Sequence, residues 1–358
     1  MKKVVHYIPG LINGGIEAML LNYYKKINNY YKFIIVVHGQ IEKSCSEKFE
    51  KLGAKVYSIP HWKKNLFAHN KELSKILKNE KPDIFHSHHG ISNFFGCYIA
   101  KKCGISIRIS HCHAYFPDKT FKQKIYSFFS NITSTNYAAC GIGAAKYLNN
   151  NKNVKIIYNA VDVKKFKYSI NSRNIIRAEN NWQGKIVYGN VGRFSVQKNQ
   201  LFLVDIYERL FKLDNNSRFV IIGGNDVLFD EVVERVNSSM IKNVCLILKD
   251  IKNVNEYYSA FDMLVLPSLY EGFPVAVIEA QISGLPCILS PTIFKEIQSD
   301  SVYYTPNLQD IDSWVSTIKK VKIENRKSND DVIKKFDINK SYIDLLNYYD
   351  GLIDGRRR

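Results

Sequence analysis

The hydrophobic and polar positions of the chain follow two alternating patterns. Short, nearly unbroken apolar runs are separated by stretches in which apolar residues recur every three or four positions. The first pattern is typical of strands covered on both faces of a parallel sheet, and the second of amphipathic helices. Strands are therefore predicted at residues 4–8, 33–37, 55–59, 83–87 and 105–110, and in a second series at residues 186–191, 218–222, 244–248 and 263–266. This alternation predicts an α/β fold with parallel sheets.

The two series of strands predict two domains. The 358 residues, 46% of them hydrophobic, are enough for two cores of about 150 to 200 residues each. We place the first domain at residues 1–165 and the second at 166–339, followed by a helix and basic tail at 340–358.

The most informative segment runs from the strand at 263–266 into a predicted helix. Pro274 fits the first turn of that helix, and Gly284 fits its C-terminal stop. Open α/β sheets bind ligands at the carboxyl ends of their strands, and backbone N–H groups at a helix N-terminus receive phosphate. We therefore predict an anion site at Gly272 and Phe273.

Two glutamates lie in this segment, Glu271 in the loop and Glu279 in the helix. A carboxylate can accept two hydrogen bonds from vicinal hydroxyls, so the pair suits a hexose diol and a ribose diol. Either glutamate alone is explained equally well as a complement to the helix dipole.

A second loop carries cations. The apolar run 186–191 leads into Arg193 and then Lys198. A guanidinium and an ammonium group at a strand-to-helix loop can bind one diphosphate.

Together these segments resemble the retaining glycosyltransferases of family 4. Glu271 and Glu279 match the E-x7-E signature of that family, and Arg193 and Lys198 match its G-R-x4-K element. The resemblance implies a GT-B fold, with two Rossmann-like α/β/α domains, a cleft between them and a C-terminal helix that crosses back to the first domain. It also implies that Glu271 positions the transferred sugar, that Glu279 holds the ribose, and that Arg193, Lys198 and the helix start at Gly272, Phe273 and Pro274 hold the diphosphate.

The first domain also carries segments that resemble the family. Gly14 and Gly15 follow the first strand in a G-G-x-E form similar to the loop that closes over the donor phosphates and borders the acceptor. The loop lacks the G-x-G-x-x-G pattern of a dinucleotide site, which argues against a dehydrogenase. His111 and His113 end a later strand, and the resemblance places one such histidine beside the transferring sugar. We favour His113, which lies further into the loop.

Other histidines and a glycine position are less informative. For His86 and His88, at the end of the strand at 83–87, a structural role is at least as expected as contact with ligand. In the segment 154–166, which resembles the point where the chain leaves the first domain, Ala160 replaces the usual glycine.

No metal or other cofactor is predicted. The H-x-H pair has no further histidines with zinc-like spacing, and Asp310 and Asp312 form a D-x-D at a helix start, where a capping role is expected. The cations and the helix N-terminus supply the charge that stabilises a leaving diphosphate.

Charge is divided unevenly along the chain. Residues 1–165 hold 26 Lys and Arg against 9 Asp and Glu, a net charge of +17, whereas residues 166–358 hold 25 against 24. The predicted helix 118–132 has an apolar face flanked by lysines: Phe121, Ile125, Phe128, Phe129 and Ile132 beside Lys119, Lys122 and Lys124. This face is interpreted either as packing on its own sheet or as lying on an anionic membrane. No nucleic-acid-binding motif accompanies the positive charge.

No stretch approaches 18 consecutive apolar residues, and the apolar region at the start is too short for a signal peptide. We expect a cytoplasmic protein bound peripherally at the inner face of the membrane.

The sequence therefore predicts a retaining enzyme that moves a hexosyl unit from a nucleotide sugar to a glycan acceptor. By resemblance, the donor is a UDP-sugar and the acceptor a polyprenyl-diphosphate-linked glycan in capsule or exopolysaccharide synthesis. Two alternatives remain: a nucleotide-sugar 2-epimerase of similar two-domain fold, and a non-catalytic nucleotide-sugar-binding partner subunit.

Overall fold

The protein is described from a computed structural model. It covers residues 1–12, 14–115, 120–148, 153–224, 226–323 and 326–357. The chain forms two compact units, one made of Met1–Val161 with Phe336–Arg358, and the other of Asp162–Lys335. The chain leaves the first unit after Val161 and returns to it at Phe336. These two residues are adjacent, since the Val161 N–H donates to the Phe336 carbonyl over 2.9 Å. The domain boundaries predicted from the sequence are at residues 165 and 339.

Parallel strands form one sheet in each unit. The described strands of the first unit are β1 (Lys2–Ile8), β2 (Tyr31–Val37), β3 (Lys55–Ser58), β4 (Ile84–Ser87), β5 (Ile107–Cys112), β6 (Asn136–Ala139) and β7 (Val154–Ile156). Those of the second are β8 (Ile186–Val191), β9 (Ser217–Gly223), β10 (Cys245–Lys249), β11 (Met263–Leu266), β12 (Cys287–Leu289) and β13 (Val302–Tyr304).

Helices alternate with these strands. They are α1 (Gly15–Ile27), α2 (Lys43–Glu50), α3 (Leu66–Glu80), α4 (Phe94–Lys102), α5 (Phe121–Thr133), α6 (Ile142–Leu148), α7 (Val163–Phe166), α8 (Ile170–Glu179), α9 (Gln200–Leu213), α10 (Phe229–Asn237), α11 (Val254–Ala260), α12 (Val275–Ile282), α13 (Ile311–Lys320), α14 (Asp330–Phe336) and α15 (Ile338–Arg357). Short 3₁₀ turns lie at Gly90–Asn93, Val196–Lys198 and Lys295–Ile297.

The two sheets have equivalent strand orders. The first is β3-β2-β1-β4-β5-β6-β7 and the second β10-β9-β8-β11-β12-β13, so each reverses direction next to its own first strand. In such sheets ligands bind outside the carboxyl ends of the strands at this switch point. The switch points lie between β1 and β4 and between β8 and β11, which is where the candidate loops begin.

Every strand predicted from the sequence is present, within two residues at each end. The strands that the prediction omitted, β6, β7, β12 and β13, are each three or four residues long. The apolar signal of such a short strand is too weak to separate it from a buried loop.

The helix α15 completes the core of the first unit. Leu345, Tyr349 and Ile353 are buried in the same cluster as Phe33 and Ile35 of β2. Asp350 of this helix accepts a hydrogen bond from Tyr31 over 2.8 Å. The expectation that the final helix packs on the first domain is confirmed.

The helix α5 has its apolar face outward. Ser127, Ser130 and Thr133 are buried, whereas Phe121 and Phe128 are 79% and 60% exposed. The interpretation that the aromatic face packs on its own sheet is therefore wrong, because small hydroxyl side chains occupy the inward positions. Residues 118 and 119 of the predicted helix lie outside the described part of the chain.

Three further expectations concern single features. Asp310 accepts a hydrogen bond from the Asp312 N–H over 3.1 Å and caps α13, as predicted for the D-x-D segment. Ala160 has no positive φ, so alanine causes no backbone strain at this position. Among the described residues, no helix is both long and apolar enough to cross a bilayer.

Candidate functional site

In the second unit, the loops that follow β8 and β11 are joined by hydrogen bonds. The Leu269 N–H donates to the Gln197 carbonyl over 2.8 Å, and the Gln197 side chain donates to the Tyr270 carbonyl over 2.9 Å. β8 and β11 are neighbours in the sheet, so their carboxyl ends open at the same edge. The two motifs, more than 70 residues apart in sequence, form one site because of this strand order.

The centre of this site is an ion pair. Lys198 Nζ lies 2.5 Å from Glu271 Oε1, and the two side chains are only 15% and 5% exposed. Gln197 Nε2 also donates to Glu271 Oε2 over 3.4 Å. A lysine ammonium group has three donors, so this contact leaves Lys198 able to donate to a second anion.

The glycine before Arg193 makes room for this lysine. A Cβ atom on Gly192 would lie 3.1 Å from Lys198 Cε. Arg193 itself is half exposed and lies 3.6 Å from Asp226 Oδ2. The two predicted phosphate ligands therefore have different partners: Lys198 is held beneath the loop, and Arg193 lies in a solvated position.

The helix α12 begins at this site. Pro274 precedes its first residue, and no side chain caps the helix N-terminus. Phe273 is buried, with 6% exposure. Ser283 ends the helix and Gly284 follows with φ +66°, which confirms the predicted stop. The N-terminal dipole of α12 therefore lies beside Glu271 and Gly272, where an anion is stabilised.

Glu279 lies within α12, in its second turn, and has a buried partner. The Tyr258 hydroxyl donates to Glu279 Oε2 over 2.7 Å. Burial raises the pKa of Glu279 to about 7, although the Tyr258 hydrogen bond and the charge of Lys165 both lower it. The carboxyl group therefore changes its protonation close to neutral pH.

In the first unit, the N-terminus of α1 follows β1. Gly14 is extended, with φ −125°, and its carbonyl accepts the first helical hydrogen bond, from Ala18. A Cβ atom on Gly14 would lie 2.5 Å from Glu17 Oε2, whereas one on Gly15 would meet no atom within 4 Å. The end of the flexible Glu17 side chain can move away from such an atom, so packing requires glycine at neither position. Residue 13 of this loop lies outside the described part of the chain.

The histidines at the ends of β4 and β5 form two hydrogen-bonded rows. In one, Tyr349 Oη lies 2.8 Å from His86 Nδ1, and His86 Nε2 lies 3.0 Å from His111 Nδ1. In the other, His6 Nδ1 lies 3.0 Å from His88 Nε2, and His88 Nδ1 lies 2.8 Å from His113 Nε2. The rows meet where the rings of His111 and His113 stack, with their centroids 4.0 Å apart.

Burial keeps these rings neutral. It lowers the pKa of His6 and of His113 to about 3, and it holds the pKa of His86, His88 and His111 well below the usual histidine value. At neutral pH each ring therefore has one N–H and one lone pair. His113 can donate or accept a hydrogen bond there, but it carries no positive charge.

The structure brings Lys198 and Glu271 together in one unit, and His111 and His113 in the other. It adds three side chains that the motifs did not single out: Gln197, Tyr258 and Asp226. Gln197 precedes Lys198 and faces the same loop, so the G-R-x4-K spacing already pointed near it. Tyr258 lies in α11, and no local pattern indicates that it meets Glu279.

Two known families match the two halves of the chain. "Glycosyltransferase Family 4" matches residues 13–165, and "Glycosyl transferases group 1" matches residues 172–336. The chain is a family 4 glycosyltransferase.

Named relatives and a solved structure agree with this assignment. The Escherichia coli UDP-Gal:alpha-D-GlcNAc-diphosphoundecaprenol alpha-1,3-galactosyltransferase is 28% identical over 271 residues, 70% of this chain and 68% of the relative. The Staphylococcus aureus capsular polysaccharide biosynthesis glycosyltransferase CapH is 24% identical over 360 residues, 98% of this chain and 99% of the relative. HepE of Anabaena, solved in complex with UDP and glucose, has a TM-score of 0.84 at 14% identity and covers 98% of this chain and 100% of its own.

The fold of this glycosyltransferase is GT-B, with two Rossmann-like sheets, as the resemblance implied. The position of the E-x7-E segment follows from that fold: Glu271 lies at the end of β11 and Glu279 in α12. At 14% identity, the similarity to HepE supports the shared fold alone. The UDP and glucose are ligands of HepE and are not assigned to this chain.

Proposed function

We propose that this glycosyltransferase moves a hexosyl unit from a UDP-sugar to a hydroxyl group of a polyprenyl-diphosphate-linked glycan, in the synthesis of a capsule or exopolysaccharide. The Escherichia coli relative is named for a UDP-sugar and a diphosphoundecaprenol acceptor, and CapH for capsular polysaccharide. The observation that carries the proposal is the Lys198–Glu271 pair at the switch point of the second sheet.

In this proposal the donor binds along the line from Arg193 to Glu279. Lys198, Arg193 and the N-terminus of α12 at Gly272, Phe273 and Pro274 bind the diphosphate, and Glu279 accepts hydrogen bonds from the ribose diol. Glu271 accepts a hydrogen bond from a sugar hydroxyl while it remains paired with Lys198. The ion pair thus links the sugar to the leaving phosphate, and charge that develops on the phosphate strengthens the Lys198 contact.

We propose that transfer proceeds with retention of the anomeric configuration. The acceptor hydroxyl attacks from the face that the diphosphate leaves, and the leaving phosphate takes the acceptor proton. A neutral His113 fits this scheme, because burial lowers its pKa to about 3 and it has no extra proton to give at pH 7. Its expected role is a hydrogen bond to the sugar or the reaction centre, with Gly14 and Gly15 close to the donor phosphates. We further propose that no metal ion stabilises the diphosphate, because two cations and a helix N-terminus supply that charge.

The experiment is a transfer assay with UDP-, GDP- and ADP-sugars and a polyprenyl-diphosphate glycan acceptor, with magnesium or with a chelator. We expect transfer from a UDP-sugar that does not change with magnesium, and a product with the donor's anomeric configuration by NMR. Free epimerised nucleotide sugar without acceptor would indicate the epimerase instead, and donor binding without any product would indicate a non-catalytic subunit.

Variants of the ion pair test the site directly. Lys198→Ala is expected to lower kcat by about 100-fold, the usual loss for one preorganised donor to developing charge. Lys198→Ala also leaves the buried carboxylate of Glu271 without its cation, which can destabilise the fold. The double variant Lys198→Ala/Glu271→Gln removes that negative charge as well. Lys212→Ala, at an exposed position of α9, is the matched control. Full activity of Lys198→Ala, or of Glu271→Ala, would contradict the assignment.

We also propose that the first unit binds an anionic membrane through α5. Its outward face carries exposed apolar side chains: Phe121, Ile125, Phe128, Phe129 and Ile132. Lys122 and Lys124 are exposed on the same helix. Apolar groups enter the lipid boundary while lysines near the surface contribute about 1 kcal/mol each with anionic lipids. The excess of positive charge in residues 1–165 favours the same partner.

Sedimentation with vesicles tests this surface. Binding is expected to vesicles rich in phosphatidylglycerol, weaker binding to phosphatidylcholine, and loss of binding in Phe121→Ser with Phe128→Ser. Phe67→Ser, on α3 and 80% exposed, is the matched control. If α5 is instead a dimer interface, light scattering should show a dimer that becomes a monomer in Phe121→Ser with Phe128→Ser. That result would contradict the membrane proposal.

A further inference from the structure

Five of the nine histidines of the chain are gathered on one face of the first sheet. Side chains two apart on a strand share a face, so His6 and His86 align across paired strands and His111, in β5, lies on the same face. His88 and His113 lie just past the ends of β4 and β5. His6, His86, His88 and His111 are between 0% and 2% exposed, whereas His113 is partly exposed. Spacing along the sequence gave no complete ligand set, because the rings come from three separate strands.

Several nitrogen atoms in this cluster have no hydrogen-bond partner. Among the described residues, His6 Nε2, His111 Nε2 and His113 Nδ1 are buried and unpartnered. A buried polar atom without a partner is destabilising, because it has lost its hydrogen bonds to water. Gathering such atoms in one place is unfavourable unless the cluster has a ligand.

We propose that His88, His111 and His113 bind one transition-metal ion of the Zn²⁺ class. One ring nitrogen from each of the three lies within 4.8 Å of the others. Tetrahedral zinc with bonds of about 2.05 Å needs ligand nitrogens about 3.3 Å apart. His88 Nδ1 and His113 Nε2 are 2.8 Å apart and hydrogen-bonded to each other, so binding requires this contact to open, the two rings to turn toward one point, and His111 to approach.

A second set, His6, His86 and His88, also lies within 4.8 Å, but it is a poorer site. All three of its residues are almost fully buried, so an ion has no route to them from solvent. In the proposed set His111 keeps its unpartnered Nε2 for the ion, and the partial exposure of His113 gives an ion a route from solvent.

The remaining hydrogen bonds would orient the ligands. If His111 binds the ion through Nε2, its Nδ1–H donates to His86 Nε2, and the His86 Nδ1–H donates to the Tyr349 hydroxyl. If His88 binds through Nδ1, its Nε2–H donates to His6. Such outer contacts fix the tautomer of a metal-bound imidazole.

The donor atoms determine the class of ion. Imidazole nitrogen suits zinc, cobalt, copper and nickel, and the set contains no carboxylate oxygen, which magnesium and calcium require. The site is therefore distinct from any magnesium effect on the diphosphate. Its ion would hold the loop after β5 to the end of β4.

The test is a titration with Co²⁺, which shows strong visible absorption when four-coordinate. The full chain is prepared without a polyhistidine tag, treated with a chelator and titrated at pH 7, and Zn²⁺ is then added as a competitor. We expect a single cobalt ion per chain and its displacement by zinc. Absence of saturable binding would overturn the proposal, and the readout needs neither donor nor acceptor, so it is independent of the transferase assignment.

Variants identify the ligands. Loss of the cobalt absorption is expected in His111→Gln and His88→Gln. His69→Gln, at a buried histidine bonded to Tyr7 and the Pro60 carbonyl, should retain it. Circular dichroism and Tm show whether each variant folds, and His111→Gln decides the case if His88→Gln does not. Unchanged binding in His111→Gln, or loss of binding in a folded His69→Gln, would refute the assignment.

Discussion

The protonation of Glu279 predicts how donor binding depends on pH. A ribose diol donates its hydrogen bonds to the carboxylate, so the protonated form binds weakly. Burial raises the pKa of Glu279 to about 7, from an ordinary value of 4.5. Affinity for a nucleotide sugar should therefore rise with pH and level off above pH 7.

The size of the effect follows from the ionised fraction. With a pKa of about 7, that fraction is about 1% at pH 5 and about 90% at pH 8, so affinity should rise about 90-fold over this range. With the ordinary value of 4.5 the rise would be less than about twofold. The two cases are easily distinguished.

The assay is calorimetric titration with a UDP-sugar at constant ionic strength between pH 5 and pH 8. Both phosphates of a nucleotide sugar are esterified, so the ligand does not titrate in this range. Glu279→Gln should bind more weakly at pH 8 and lose the pH dependence. Tyr258→Phe removes a hydrogen bond that lowers the pKa, so its midpoint should lie at higher pH. Glu256→Gln, in the neighbouring helix α11, is the control for a general charge effect.

Two results would refute this reasoning. One is a wild-type affinity that is flat from pH 5 to pH 8, which would mean that Glu279 is already ionised or does not contact the donor. The other is a pH dependence that persists in Glu279→Gln, which would assign the titration to another group.

Further predictions concern stability and use matched pairs, measured by urea unfolding. A Cβ atom on Gly189 would lie 2.2 Å from the Phe261 ring, so Gly189→Ala should lower the free energy of unfolding by about 1 to 3 kcal/mol. Gly351→Ala, in α15 with no atom within 4 Å, should raise it by up to about 1 kcal/mol. Equal effects would contradict the packing. Asp262→Ala leaves Arg173 and Arg177 without their buried partner and should cost about 3 to 5 kcal/mol. Asp312→Ala breaks an exposed pair with Arg209 and should cost under about 1 kcal/mol, and a similar loss in both would show that burial is not the cause.

Much of the site was visible in the sequence because its determinants are local. The run Met263–Leu266 followed by Pro267 marks a buried strand and its end, and Pro274 and Gly284 mark the limits of a helix. A strand end followed by a helix start is a ligand position in a parallel sheet. The location of Glu271 at this candidate site therefore needed no tertiary information.

The orientation of α5 was not visible in the same way. Periodicity shows that Phe121 and Phe128 lie on one side of a helix and Ser127 and Ser130 on another. It does not show which side meets the sheet, because that depends on the shape of the surface to be covered. In this unit the inward positions are filled by Ser127, Ser130 and Thr133, which only the packed structure decides.

By itself, the sequence determined the α/β alternation, the two-domain plan and the residues at the strand ends, because burial patterns and caps act over a few neighbouring positions. Only the tertiary structure decided which of those residues meet. Lys198 pairs with Glu271, Tyr258 with Glu279, and His88 with His113 because the strand order makes distant segments neighbours. The pKa values that follow from these contacts could not be predicted from the sequence either, since burial is a property of the folded chain and not of any single segment.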